Sequence, residues 1–183
     1  MFVVPGDEGS DWTCHLFLRW PPVLSSQPYF STSRFRQTSV MGHGPFKSWE
    51  EVELLARGFE NQTLLGEHDW THRDHVSAAA YYCITDPDCA VERMRAGIQA
   101  LNKARGVEQT PTGGYHDTLT IAWTKIIAGH IRDLGDIEKH KKVNSVISSF
   151  EDRKTTLRYY TRDRIMSLEA RYGWVEPDVE PLP

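Results

Sequence analysis

From Ser48 onward, apolar side chains recur at intervals of three and four residues, the spacing of helices that bury one side. Ser48 and Glu51 form a capping-box pattern ahead of Val52, Leu55 and Phe59, which predicts a first helix ending before Asn61. A second helix is predicted to start after Thr71. Asp74 completes its capping box, and Val76, Ala79, Ala80 and Cys83 face inward. Pro87 and Asp88 open a third, whose stripe of Val91, Met94, Ile98 and Leu101 ends at Gly106. The fourth runs from Asp117 to Leu134 and is stopped by Gly135, with Leu119, Trp123, Ile126, Ile127 and Leu134 buried. Asp136 caps a fifth, with Val143, Val146, Ile147 and Phe150 inward. Short helical pieces then carry Tyr159, Tyr160, Ile165 and Leu168 before an extended, proline-rich tail over 177–183. The connections are short, so neighbouring helices should run antiparallel. The predicted fold is all-α, a helical bundle of about five helices.

The first 47 residues do not share this grammar. Pro21-Pro22, a Ser/Thr/Arg-rich stretch over 25–39 and a Gly-His-Gly-Pro break at 42–45 predict an irregular arm, with a short extended piece from His15 to Trp20. Its aromatic residues favour packing on the domain. The organisation expected is therefore an arm over 1–47 and one helical domain over 48–183, since 183 residues suffice for a single well-buried core. A net charge of -4 gives no electrostatic reason to expect nucleic acid or an anionic membrane. The longest apolar runs, such as Val76 to Ile84, are far below the roughly 20 residues needed to span a bilayer. Met1 to Pro5 is apolar, but Gly6-Asp7-Glu8 interrupts it before a signal-peptide core forms. Cys14, Cys83 and Cys89 lack the C-x-x-C spacing, which favours a reduced, cytoplasmic setting.

The candidate chemistry sits in two short stretches. Residues 67–75 hold three histidines and three carboxylates. His72 and His75, three apart, lie on one face of the second helix, and that face continues into Ala79 and Cys83. A single inward histidine is ordinarily a hydrogen-bonded core residue. Two are harder to satisfy, because an uncompensated buried imidazole costs about 1–3 kcal/mol. The third candidate is His116, which follows Gly113-Gly114-Tyr115 and heads the stripe through Thr120, Trp123 and Ile127. His130 is fourteen residues further along that helix, roughly 21 Å away, and reads as structural. His140 sits among lysines and reads as a surface residue. Three neutral imidazoles with an open position describe a catalytic zinc (Zn2+), and the same set with a carboxylate suits non-haem iron. Glu60, on the edge of the first helix's stripe, is the favoured carboxylate for general base or further ligand. A solvated, helix-ending glutamate fits the same position, and Glu67 and Asp69 are the alternatives. Walker, Rossmann and G-x-S-x-G patterns are absent from the sequence, and Cys83 falls on a core stripe, where thiols are inert.

The order Phe59-Glu60, Trp70-Thr71-His72-x-x-His75, Asn102 ahead of Gly106-Val107, Gly114-Tyr115-His116-Asp117-Thr118-x-Thr120, Tyr159-Tyr160 and Pro177-Asp178 resembles a family of small bacterial and fungal proteins, mostly without assigned function. Within it the chain looks most similar to the fungal cyclopenases, over about 59–182. That resemblance implies a zinc-dependent lyase of alkaloid biosynthesis, related to the helical core of haemocyanin. Such an enzyme contracts the ring of the benzodiazepinedione cyclopenin to the quinolone viridicatin. The haemocyanin pattern of two full histidine triplets is not present, which argues against a binuclear, oxygen-binding centre. Trp70 and Tyr115 are then candidates to bind a small aromatic metabolite, with Trp123 more suited to packing. Two other readings use the same residues: an iron or copper oxygenase, and a non-catalytic helical module whose histidines are merely buried.

Overall fold

A computed structural model of the chain describes residues 44–63 and 70–183. The predicted arm, except its last few residues, and the stretch with Glu67, His68 and Asp69 lie outside them. Five helices of eleven residues or more carry the described fold: α1 (Trp49–Glu60), α2 (His72–Thr85), α3 (Ala90–Ala104), α4 (Asp117–Asp133) and α5 (Lys139–Ser149). Two short ones, α6 (Arg162–Ile165) and α7 (Leu168–Tyr172), follow, and 3-10 turns occupy Pro87–Cys89 and Arg153–Arg158. There is no strand among the described residues, so the expected all-α bundle is what the chain forms. Among the same residues, no helix is long and apolar enough to cross a membrane.

The centre of the bundle is α2, which packs against α1, α3, α4 and α5. Five consecutive residues, Val76 to Ala80, are buried, so the one-sided stripe expected for this helix becomes burial all round. A helix enclosed on every side has no use for a polar face. Ala78, Ala79 and Ala80 keep α2 narrow enough for its neighbours to approach it together. Close approach recurs between α1 and α3: a methyl group at Gly97 would collide with the Phe59 ring.

Helix starts follow the sequence in part. At α2 the capping box forms: Thr71 Oγ1 accepts from the Asp74 backbone N–H, and the Asp74 carboxylate accepts from that of Thr71 at 2.8 Å. At α1 it does not. Ser48 makes no capping hydrogen bond, and Glu51 instead accepts from the Lys47 N–H at 2.8 Å. The start of α5 falls later than Asp136 predicts, because the backbone N–H groups of Lys141 and Lys142 bond to the carbonyl of Glu138, the residue that caps the helix.

The C-terminal segment is fastened to α4 by one hydroxyl. Thr118 is fully buried. Its Oγ1 donates to the Gly173 carbonyl at 2.6 Å and accepts from the Val175 N–H at 3.1 Å. A second apolar group, including Ile126, Tyr160, Ile165 and Val175, closes over that clasp. Thr118→Val keeps the shape and removes the hydroxyl, which strands a buried donor and a buried acceptor. At about 1–3 kcal/mol for each unsatisfied group, the expected loss is on the order of 3 kcal/mol in chemical denaturation. A loss below about 0.5 kcal/mol would show that the clasp is dispensable.

Candidate active site

The sequence places His72 and His75 in the first turn of α2, and Val76 and Ala79 continue the same face along the helix. These four residues form one wall of a cavity of about 370 Å³. Met94, Ile98 and Asn102, spaced by four along α3, form the second wall. The third is α4, through His116 at its N-cap and Leu119, Thr120, Trp123, Thr124 and Ile127. Trp70, Gly114, Tyr115 and Arg153 complete the lining. Leu119 and Trp123 are only half-buried where a filled core was expected, because the cavity lies in front of them. The chain thus brings His72, His75, His116, Trp70 and Tyr115 to one place.

The histidine nitrogens are largely engaged. An indole N–H only donates, so the 3.0 Å contact from Trp70 Nε1 makes His75 Nε2 the acceptor. The proton therefore sits on His75 Nδ1, which donates to the Thr71 carbonyl at 3.0 Å. His72 donates from Nε2 to the Phe150 carbonyl at 2.9 Å, which leaves Nδ1 as its unprotonated nitrogen. His116 Nδ1 accepts from the Leu119 N–H at 3.3 Å and caps α4, so its proton is on Nε2, a buried nitrogen that makes no well-aligned hydrogen bond, although the Ile165 backbone is near enough to favour the protonated ring. Aromatic contacts fix the rings: His72 is edge-on to Trp123, His75 is edge-on to Trp70, and Trp70 stacks on Phe59 at 4.8 Å.

All three imidazoles are held in the neutral form. Burial is the main cause for each, opposed at His72 by the Phe150 carbonyl and at His75 by that of Thr71. At His116 the neighbouring Arg171 pushes further in the same direction. Tyr115 donates to Asp117 at 2.7 Å, and its phenol is pushed up to about 12 by burial and by that hydrogen bond, so it serves as a neutral donor or packing surface. The hydroxyls of Thr120 and Thr124 are spent on carbonyls of their own helix, those of His116 and Thr120.

As donors these residues suit zinc: three neutral imidazoles, one with a buried nitrogen lacking a well-aligned partner. As placed they do not chelate. Among the described residues, no three His, Cys, Asp or Glu side chains stand close enough to hold one ion. Ligation by His75 requires it to give up the hydrogen bond from Trp70 or the one to Thr71. Ligation through Nε2 of His116 moves its proton to Nδ1 and removes the cap from Leu119.

Glu60 stands elsewhere. It is exposed at the end of α1, accepts from the Tyr82 hydroxyl at 3.1 Å and does not line the cavity. The reason is rotational: Phe59 is fully buried, and the next residue of a helix turns about 100° away from it. Glu60→Gln preserves an acceptor for Tyr82 and is expected to leave turnover within about twofold of the parent. A fall of the roughly 10²-fold or more that marks a lost general base would return Glu60 to the chemistry.

His130 bonds to Ser145 at 2.9 Å, in keeping with its structural reading. His140 is less exposed than its lysine neighbours imply: its side chain is 17% exposed and lies 3.6 Å from Glu138. Cys83 is buried and free, its thiol pushed up to about 12 by burial, and therefore inert. Cys89, by contrast, is disulfide-bonded, which goes against the reduced setting that the cysteine spacing predicts. Arg153 was not singled out in the sequence. It follows α5 in a short 3-10 turn, where no periodic signal ties it to α2. Comparison with protein families, with characterised proteins and with solved structures finds no match to this chain.

Proposed function

We propose that this chain is an enzyme acting on a small aromatic metabolite in the α2–α3–α4 cavity, a zinc-dependent lyase that holds the ion on His72, His75 and His116 once their rings turn out of the hydrogen bonds they make here. The observation that carries the reading is their convergence. Residues 72, 75 and 116, together with the flat faces of Trp70, Tyr115 and Trp123, line one cavity of about 370 Å³, within the range of small-molecule sites. Zinc bound there would supply a Lewis acid that polarises a substrate oxygen. The protein's own part is binding and orienting the substrate. Apolar α3 residues and the indoles take up an aromatic ring, and the Tyr115 hydroxyl, neutral in this setting, is a hydrogen-bonding group at the cavity wall. The resemblance to the cyclopenases makes cyclopenin the first substrate to try and puts the protein, in this proposal, in secondary metabolism.

The purified full chain is expected to convert cyclopenin to viridicatin with oxygen excluded and no reductant present. A chelator should stop the reaction and zinc should restore it. Dependence on oxygen, or restoration by iron and not by zinc, would replace the lyase with an oxygenase. Stoichiometric zinc without turnover on cyclopenin would leave the metal site and change the substrate.

A further inference from the structure

A second cavity, of about 660 Å³, opens beside the first, and Asn102 and Tyr115 belong to the lining of both. Three cations face it, Arg95, Lys103 and Arg171, against one carboxylate, Asp117. That carboxylate is already committed. Arg95 holds both its oxygens, at 2.8 and 3.2 Å, and the Tyr115 hydroxyl donates to it at 2.7 Å. Two positive charges, those of Lys103 and Arg171, are left over.

Arg171 is the unusual one. It is only 5% exposed, and among the described residues no carboxylate pairs with it. Its Nη1 donates to the Gly113 and Tyr115 carbonyls, both at 3.3 Å, and its Nε is buried without a partner. Carbonyls offer partial charge only, and a buried guanidinium without a counter-charge is costly to desolvate. With Nη1 engaged and Nε buried, Nη2 is the guanidinium nitrogen left to receive an anion, and a guanidinium in a cationic hollow favours a carboxylate. Tyr172, also in the lining, gives that hollow an aromatic edge.

We propose that this second cavity binds a small organic carboxylate, its charged group received by Arg171 and Lys103. The site is built from residues other than the three histidines. Its test uses neither metal nor turnover, so it stands or falls apart from the lyase reading.

The experiment is calorimetric titration of the full chain, dialysed free of metal, with benzoate and with its neutral isostere benzamide at constant ionic strength. Benzoate is expected to bind and benzamide is not. Arg171 also holds the Gly113–Tyr115 stretch, so its replacement tests folding as well as binding. The decisive variant is therefore the exposed Lys103→Gln, expected to weaken benzoate roughly threefold, as loss of one partly solvated charge should. Trp123→Leu, which alters the first cavity alone, should leave benzoate affinity unchanged. Equal binding of benzamide, no effect of Lys103→Gln, or an equal loss with Trp123→Leu would each overturn the proposal.

Discussion

Replacing His75 by alanine is expected to abolish zinc retention and to lower turnover at least 100-fold while the helical fold persists. The expectation on zinc follows from ligand number. Three imidazoles with an open position hold zinc tightly, and two do not, so loss of one removes most of the affinity. Persistence of the fold follows from the packing. The core of α2 lies in Val76 to Ala80, and its capping box uses Thr71 and Asp74, neither of which needs the imidazole. What His75→Ala does break is the hydrogen bond from Trp70, leaving an indole N–H to seek water, and the one to the Thr71 carbonyl, which keeps its bond from the residue 75 backbone N–H. His72→Ala should behave alike. His116 needs a different substitution because its ring also caps α4, and a lost cap costs about 0.5–2 kcal/mol by itself. Asparagine is among the best capping residues, so His116→Asn separates the roles: stability is kept and zinc is lost. His140→Ala, beside Glu138 and absent from the cavity lining, is the control and should bind zinc normally. Zinc measured by mass spectrometry in protein purified without added metal decides the matter. Stoichiometric zinc in any one of the three variants removes that residue from the site.

The line between what could be read from the sequence and what could not runs through single side chains. His72, His75 and His116 were legible as cavity residues because helical spacing says which face a residue occupies, and all three head apolar stripes. What each ring nitrogen meets was not legible. The partner of His72 is the carbonyl of Phe150, 78 residues away, and no periodicity reports a backbone oxygen at the end of another helix. Glu60 shows the same limit from the other side. An edge position leaves a choice of about 100° between cavity and solvent, and the full burial of Phe59 settles it. At helix starts, the box at Thr71 formed and the one at Ser48 did not, since Glu51 there accepts from Lys47. The charge of Arg171 belongs to a five-residue helix with no sequence signal of its own. Its significance appears only once burial and the absence of a described carboxylate partner are seen together.

Metal-free protein is expected to lose stability as the pH falls from about 7 to 5, a window that lies mostly above the range in which carboxylates titrate. His72, His75 and His116 all have pKa values lowered in the folded chain, chiefly by burial. Arg153 adds to the effect at His72 and His75, as Arg171 does at His116. The backbone carbonyls of Phe150 and Thr71 and the Ile165 backbone oppose it first, and Asp152, Asp74 and Asp117 respectively oppose it further. The sign follows from proton counting. Above the ordinary histidine value of about 6.5, folded and unfolded chains are both neutral at these positions, and stability is at its plateau. Below it the unfolded chain takes up protons that the folded chain refuses, so the equilibrium moves toward unfolding. The loss stops at each group once the pH passes below its lowered folded value, where both states are charged. One proton of difference amounts to about 1.4 kcal/mol per pH unit, so three groups set a ceiling of about 4 kcal/mol per unit. Urea denaturation at intervals between pH 8 and 5 measures the slope. A variant with His72→Gln, His75→Gln and His116→Asn should be nearly flat across the same interval. If parent and variant fall in parallel, the acid sensitivity lies elsewhere, and these three imidazoles are not the buried neutral bases that the cavity geometry makes them.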